Sequence, residues 1–345
     1  MSVEGETARG FERVRDAVAR VCDAQGEGGV AVTAIVDGEP VVDVWAGGID
    51  ADTLIHTWSA IKPVVGACLL LLVNRGRASL DDLVRRFWPE LRAAQRTDLR
   101  VRDPLCHAAG LASVPPPGTA ASLLDWERAC SGLAAAEPDW EPGAEVGEHA
   151  LTYGHLVGEL VRRIDGRSIG RFLAEELAGP LDLDLCVGVP EGDLGRVADL
   201  RGVTAAWWDG LRGQPGALRH RAFGSGVDER LLNGREWRQG EVPAANGHAT
   251  ARSLARFYAL LLAGRLPAQI AEVGRNGDDQ VLGERVAWTL AGGRVEVGEV
   301  GMAGIGGQWA CARPADNLAW AFLTTVMGGY DGVEAVERAL NACLP

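Results

Sequence analysis

Lysine is almost missing from this chain. Of its 34 basic residues Lys62 is the only lysine, and all the others are arginine. Tyrosine is nearly as scarce, with three in 345 residues. No Cys-x-x-Cys pair occurs, and the seven cysteines (Cys22, Cys68, Cys106, Cys130, Cys186, Cys311 and Cys343) are scattered and odd in number. That pattern points to free, buried thiols in a reducing compartment rather than to disulfides or a metal site. Long apolar runs are missing too, since Leu69–Val73 is far too short to span a bilayer. Met1–Gly29 has neither the basic start nor the apolar stretch of an export signal, so a cytoplasmic location is expected. Positive charge is also in short supply. A net charge of −13 argues against nucleic acid or an anionic membrane surface as the main partner.

What remains is the composition of a soluble globular protein, 47% hydrophobic and 23% charged, long enough for one large domain or two moderate ones. Within it, the lone lysine stands three residues after Ser59. Arginine cannot replace lysine where a proton must move, because guanidinium stays charged while an ammonium loses its proton when desolvated. Positions i and i+3 share a helix face, so the Ser59 hydroxyl and Lys62 amine fall within reach of one another, a nucleophile beside its base. Thr57 and Ser59 suit a helix start, Pro63 is tolerated in a first turn, and Val64–Val73 supplies a buried helical body. A serine placed there meets free N–H groups and the positive end of the helix dipole.

Along the chain, Phe11, Val14, Val18 and Val21 recur at helical spacing. Val30–Val36 and Val41–Trp45, joined by Asp37-Gly38, read as a hairpin. From Ser79 onward helices dominate, with Leu123–Ala136, Leu151–Ile164, Ile169–Ala178 and Ala251–Leu262 the clearest. His107 has no Cys or carboxylate at metal spacing and reads as structural. Residues 187–245 show little periodicity and are expected to be loops covering a cleft, where Trp207, Trp208 and Trp237 either line a binding site or simply pack. Strand character returns at Ala287–Val297, at Gln308–Ala312 and at Leu318–Val326, and Val333–Cys343 is a last helix. The glycine-rich Gly301–Gly307 lacks the Lys-Ser/Thr ending of a phosphate loop. The expected fold is α/β plus all-α, an antiparallel sheet formed from both chain termini and flanked by helices, with an inserted helical domain. Residues 1–78 and 285–345 would form the sheet domain and 79–284 the helical one.

These residues resemble the serine β-lactamase and penicillin-binding-protein superfamily, within it the class C β-lactamase and esterase branch. Ser59-x-x-Lys62 matches its first motif. Val101–Leu111, Trp140-Glu-Pro-Gly143, His149–Glu159, Gly179-Pro-Leu181, Asn246-Gly-His248 and Gly304–Gly307 match further segments over almost the whole chain. The resemblance implies an active site between sheet and helical domain, with the N–H groups of Ser59 and Ile305 as oxyanion hole. Two departures stand out. Where relatives carry Tyr-x-Asn or Tyr-His-Ala, this chain has Glu148-His149-Ala150, and where they carry Lys-Thr-Gly or His-x-Gly it has Met302-Ala303-Gly304. Glu148 in place of the tyrosine would pair with Lys62, relay a proton, hold an incoming amine, or face solvent. Loss of the third-motif side chain argues against β-lactams as substrate.

The expected chemistry is acyl transfer. Ser59, Lys62 and Glu148 are the catalytic candidates, and His149, Trp207, Trp208, Met302 and Gly304 the substrate-binding ones. No cofactor or metal is implied; the partners are a small-molecule ester donor and an amine or water acceptor. The missing tyrosine, the unexported chain and an aromatic cover that excludes water favour transfer to an amine. That pattern is similar to the β-lactamase-like transacylases of nucleoside-antibiotic biosynthesis, such as those of the capuramycin type. A carboxylesterase is the alternative, and a non-catalytic ligand-binding relative a second one.

Overall fold

A computed structural model describes residues 2–344. The chain opens with an edge strand, β1 (Val3–Thr7), and an amphipathic helix, α1 (Glu12–Gln25), followed by β2 (Val30–Val36) and β3 (Glu39–Ala46), which form the expected hairpin. Short β4 (Ile55–His56) runs into a single 3₁₀ turn, Trp58–Ile61, and then α2 (Lys62–Asn74). After the helical region, with β5 (Leu185–Val187) and β6 (Gly247–Ala249) at its border, come β7 (Val273–Asp278), β8 (Arg285–Thr289), β9 (Arg294–Glu296), β10 (Glu299–Gly304), β11 (Gln308–Arg313) and β12 (Leu318–Thr324). Helix Asp331–Asn341 ends the chain.

The large antiparallel sheet has nine strands in the order β1-β3-β2-β12-β11-β10-β9-β8-β7, so strands from both termini interleave as expected. A second sheet of three strands is ordered β4-β6-β5. All seven residues of β12 are buried, and its alternation is one of size rather than polarity. Leu318, Trp320 and Phe322 face α1 and the C-terminal helix, while Ala319 and Ala321 belong to the core on the other face, where helix Ala251–Leu262 packs. Small residues there let that helix approach the sheet closely. Helix α2 is buried on nearly all sides, from Lys62 to Leu70 and again at Leu72, which makes it the centre of the main core.

Several expectations change. Strand β1 lies in a segment read as plain polar chain, and β7 shows no hydrophobic alternation because it is an exposed sheet edge. Since β7 belongs to the sheet, the second chain segment of the sheet region enters at 273 rather than 285. The stretch 287–297 is two strands, broken at Gly292 (φ 73°) where the chain folds back so that Trp288 pairs with Arg294. Residues 187–245 are not mere loops. They hold short helices, Ala205–Arg212, Leu218–Ala222, Glu229–Leu232 and Arg235–Gln239, that bury Trp208, Ala222, Leu232 and Trp237.

Candidate active site

Ser59 sits inside the 3₁₀ turn and Lys62 closes it, the Lys62 N–H donating to the Ser59 carbonyl. Side chains three apart eclipse one another in 3₁₀ geometry, and that shape brings the pair together. Lys62 Nζ lies 2.5 Å from Ser59 Oγ and 3.4 Å from Glu148 Oε1. The lysine is fully buried, and desolvation lowers its pKa while the Glu148 carboxylate opposes that shift. Glu148 is buried as well, which removes the solvent-facing reading. Its backbone N–H donates to Asp279 Oδ1 (3.1 Å), and the same carboxylate accepts from the N–H groups of Val281 and Leu282 and from Trp288 Nε1. Asp279 therefore fixes the Glu148 loop and one wall of the pocket together.

The residue before the nucleophile is strained. Trp58 has φ 49°, a left-handed conformation that a bulky side chain rarely adopts. Its ring is held by Met327 Sδ, 3.1 Å from Nε1, and stacks on Trp208 at 5.7 Å. Those contacts support a turn that aims Ser59 into the cleft.

The remaining candidates divide. Ile305 and Met302 line the same pocket as Ser59 and Glu148, as does Trp208. Gly304 does not line it. Its role is close approach, because a Cβ there would stand 2.6 Å from the Thr57 carbonyl, so only glycine lets the end of β10 bring Ile305 against the Ser59 turn. His149 is also corrected. It is wholly buried, accepts from the Leu111 N–H through Nε2 (3.1 Å) and sets Nδ1 2.8 Å from the Gly147 carbonyl, and desolvation lowers its pKa to about 4. It ties loops together and touches no cleft. Trp207 packs behind Trp208 at 6.2 Å and is absent from the pocket lining. Trp237 is buried, donating to His56 Nε2 (3.0 Å), and His107 is structural as expected, its Nδ1 accepting from the His149 N–H.

Several lining residues went unrecognised in the sequence: Trp58, Phe223, Trp288, Arg294 and Tyr330. Arg294 restores a cation to a pocket whose third motif has none, reaching in from β9, which pairs with β10 at Gly301. It is shared with Glu284 (2.5 Å) and Glu296 (3.0 Å). Tyr330 Oη donates to the Gly304 carbonyl (3.1 Å), and desolvation and the Glu148 charge hold its hydroxyl above the usual tyrosine value. A tyrosine thus reaches the pocket from outside the second motif, its phenol tied to the end of β10. Its scarcity was the one signal in the sequence that pointed to it. Tyr153, the other tyrosine near the second motif, is buried and donates to the Ala291 carbonyl. The pocket is small, about 120 Å³, walled by Trp58, Trp208, Phe223 and Trp288. Among the described residues no group of His, Cys, Asp and Glu is arranged to hold a metal, and no helix is long and apolar enough to cross a membrane.

A serine on a strained turn, hydrogen-bonded to a buried lysine at the edge of an antiparallel sheet, defines the class of serine acyl-transfer folds. The β-lactamase family model matches residues 14–343, and the chain belongs to that family. It is 34% identical to the esterase/β-lactamase LipL of Mycobacterium tuberculosis over 69% of this chain and 59% of that protein, so it spans well under two thirds of that relative's length. A penicillin-binding-protein homologue from Caulobacter crescentus is similar over 100% of both chains (30% identity, TM-score 0.85). So is a family VIII carboxylesterase (29% identity, TM-score 0.88, 100% of both chains).

Proposed function

We propose that the chain is a serine acyltransferase that takes an acyl group from a small carboxylic ester onto Ser59 and passes it to an amine. Lys62, whose burial favours the neutral amine against the pull of Glu148, removes the Ser59 proton as Oγ attacks the ester carbonyl. The N–H groups of Ser59 and Ile305 receive the oxyanion, and the alcohol leaves with the proton carried by Lys62. In the second half the amine attacks the acyl-serine. The C–N bond forms, the C–Oγ bond breaks, and the amine proton returns to Oγ through Lys62, with Glu148 balancing the ammonium while it exists. The observation that carries this reading is the buried Ser59–Lys62–Glu148 chain in an aromatic pocket, with Glu148 standing where the second motif of relatives carries tyrosine.

Hydrolysis is the second reading, a carboxylesterase in which water takes the amine's place. The likeness to LipL and to the family VIII carboxylesterase supports it. Product analysis by mass spectrometry, with methyl and p-nitrophenyl esters offered with and without an amine, separates the two. Amide formation outrunning acid formation is expected, and acid alone at high amine concentration would leave the esterase. A fluorophosphonate that adds no mass at Ser59, with no ester turnover above that of Ser59→Ala, would remove both and leave a ligand-binding protein.

A further inference from the structure

Three charged side chains line the catalytic pocket, and two of them are already answered. Glu148 pairs with Lys62, and Arg294 with Glu284 and Glu296. The third, Arg219, has no carboxylate partner among the described residues; its contacts are to a backbone carbonyl and an aromatic ring. It extends from the short helix Leu218–Ala222 and is half-buried. Its Nε donates to the Leu211 carbonyl (2.6 Å), and its guanidinium carbon lies 5.0 Å from the centroid of the Phe223 ring. Phe223 packs edge-on against Trp208, which stacks on Trp58, so the guanidinium is carried by the aromatic wall that also supports the Ser59 turn. Both Nη groups are left without a protein acceptor.

An unpaired arginine on open surface is satisfied by water and signals nothing. Arg219 differs because its Nε bond and ring contact hold the fork in one orientation, in the same space of about 120 Å³ as the nucleophile. The chain carries 47 acidic residues against 34 basic ones, yet the one charged side chain of this pocket that lacks an ion partner is a cation. A fork whose Nε is taken still presents parallel N–H groups at its outer end, the match for one planar carboxylate. A phosphate dianion would need a second free cation, and Arg294 is held by its two carboxylates.

We propose that Arg219 binds a carboxylate carried by the acyl group of the ester donor, which makes the donor a half-ester of a short dicarboxylic acid. A cavity of about 470 Å³ adjoins the pocket and shares Arg294, Ala303 and Tyr330 with it, but not Arg219. The leaving alcohol and the incoming nucleophile have that side for passage, and the Arg219 side is left to the acyl chain. The small pocket keeps that chain short, so the anion and the reacting carbonyl stand only a few atoms apart. The carboxylate stays ionised and takes no part in bond making. The inference rests on formation of acyl-Ser59, which the amine and water readings share.

The test compares the monomethyl esters of malonic, succinic and glutaric acids with the matching methyl ester monoamides, which keep the shape and lose the charge. In the full-length protein, kcat/KM for the best acid ester is expected to exceed that of its amide by about tenfold or more, the scale of a charge-assisted pair. The difference should lie mainly in KM, because the anion is held in ground and transition state alike. Arg219→Met keeps a stem over Phe223 and removes the fork; it is expected to abolish the preference, and Arg219→Lys to restore only part of it. Acid and amide are compared within one variant, so a general loss of folding or activity cancels from the ratio. Binding is read separately in Ser59→Ala by calorimetric titration with the best acid and amide pair. The acid should bind tighter by a similar factor and lose that advantage when Arg219→Met is added. Equal kcat/KM for acid and amide at every chain length, or a preference that survives Arg219→Met, overturns the proposal. If no ester is turned over while the acid still binds through Arg219, the anion subsite stands and acylation at Ser59 is what fails.

Discussion

The wall of the cleft that carries Ser59 and Lys62 is dry and tightly tied, whereas the wall formed by β9, β10 and Tyr330 is charged and partly open. On the first side Thr57, Trp58 and Lys62 are all buried; on the second Tyr330 is 41% exposed and Val297, at the β9–β10 turn, is fully so. The buried wall has one arrangement available, in which strain at Trp58 and desolvation at Lys62 are held in place by packing. That suits the invariant part of the chemistry. The open wall is rich in paired and half-paired charges, where side chains can change without disturbing the core. On the proposed function, chemistry belongs to one wall and choice of ligand to the other.

The sharpest way to break that division is Lys62→Arg, which keeps the charge and loses the basicity. Acylation measured as the p-nitrophenol burst is expected to fall by about 10³-fold or more, the scale of general-base catalysis. A near-normal burst would take Lys62 out of the mechanism. Next comes Gly304→Ala, whose Cβ would press on the Thr57 carbonyl and shift Ile305 from the Ser59 turn. A loss of about 10²-fold in kcat with little change in KM is expected, as for removal of one oxyanion donor; a pure KM effect would move Gly304 to the ligand wall.

Glu148→Ala should slow turnover by at least tenfold, about 1.4 kcal/mol in the barrier, and an unchanged steady-state rate would make the carboxylate a spectator. The pH profile sharpens the same point. Burial sets the Lys62 pKa below 10.5, so acylation should rise with pH around a midpoint under that value as the amine becomes neutral. Glu148 opposes the shift, hence Glu148→Gln should move the midpoint lower still; a move upward would contradict the arrangement. The unfolded chain binds the lysine proton up to about 10.5 and the folded chain releases it earlier, so this group's contribution to stability improves as pH rises through that window. The smallest effect is expected for Trp207→Ala, within about twofold in kcat/KM, since it backs Trp208 without entering the pocket. A larger change would mean that the aromatic cover acts as one unit.

Ser59 and Lys62 were legible because a lone lysine in an arginine-rich chain is a local signal, and because three residues along one turn are neighbours whatever the rest of the chain does. The interleaved sheet was legible from hydrophobic runs at both ends. Strands β1 and β7 were not, since edge strands with both faces near solvent show no period to read. Nor were the short helices of 205–239, which are too brief to hold without tertiary support. Arg294 and Tyr330 reach the pocket from segments distant from Ser59 in the chain, a relation that only the folded sheet creates. His149 misled for the opposite reason. It sits next to Glu148 in sequence, yet its side chain turns inward to Leu111 and Gly147.

The position of β12 between β2 and β11 has a temporal consequence. During synthesis the nucleophile and its base emerge early, but β2 has no partner on that side until residues 318–324 follow. The Trp58 ring likewise waits for Met327, and Gly304 for Tyr330. A nascent chain that already contains Ser59 and Lys62 therefore lacks the contacts that support the Ser59 turn until residues 318–330 have followed.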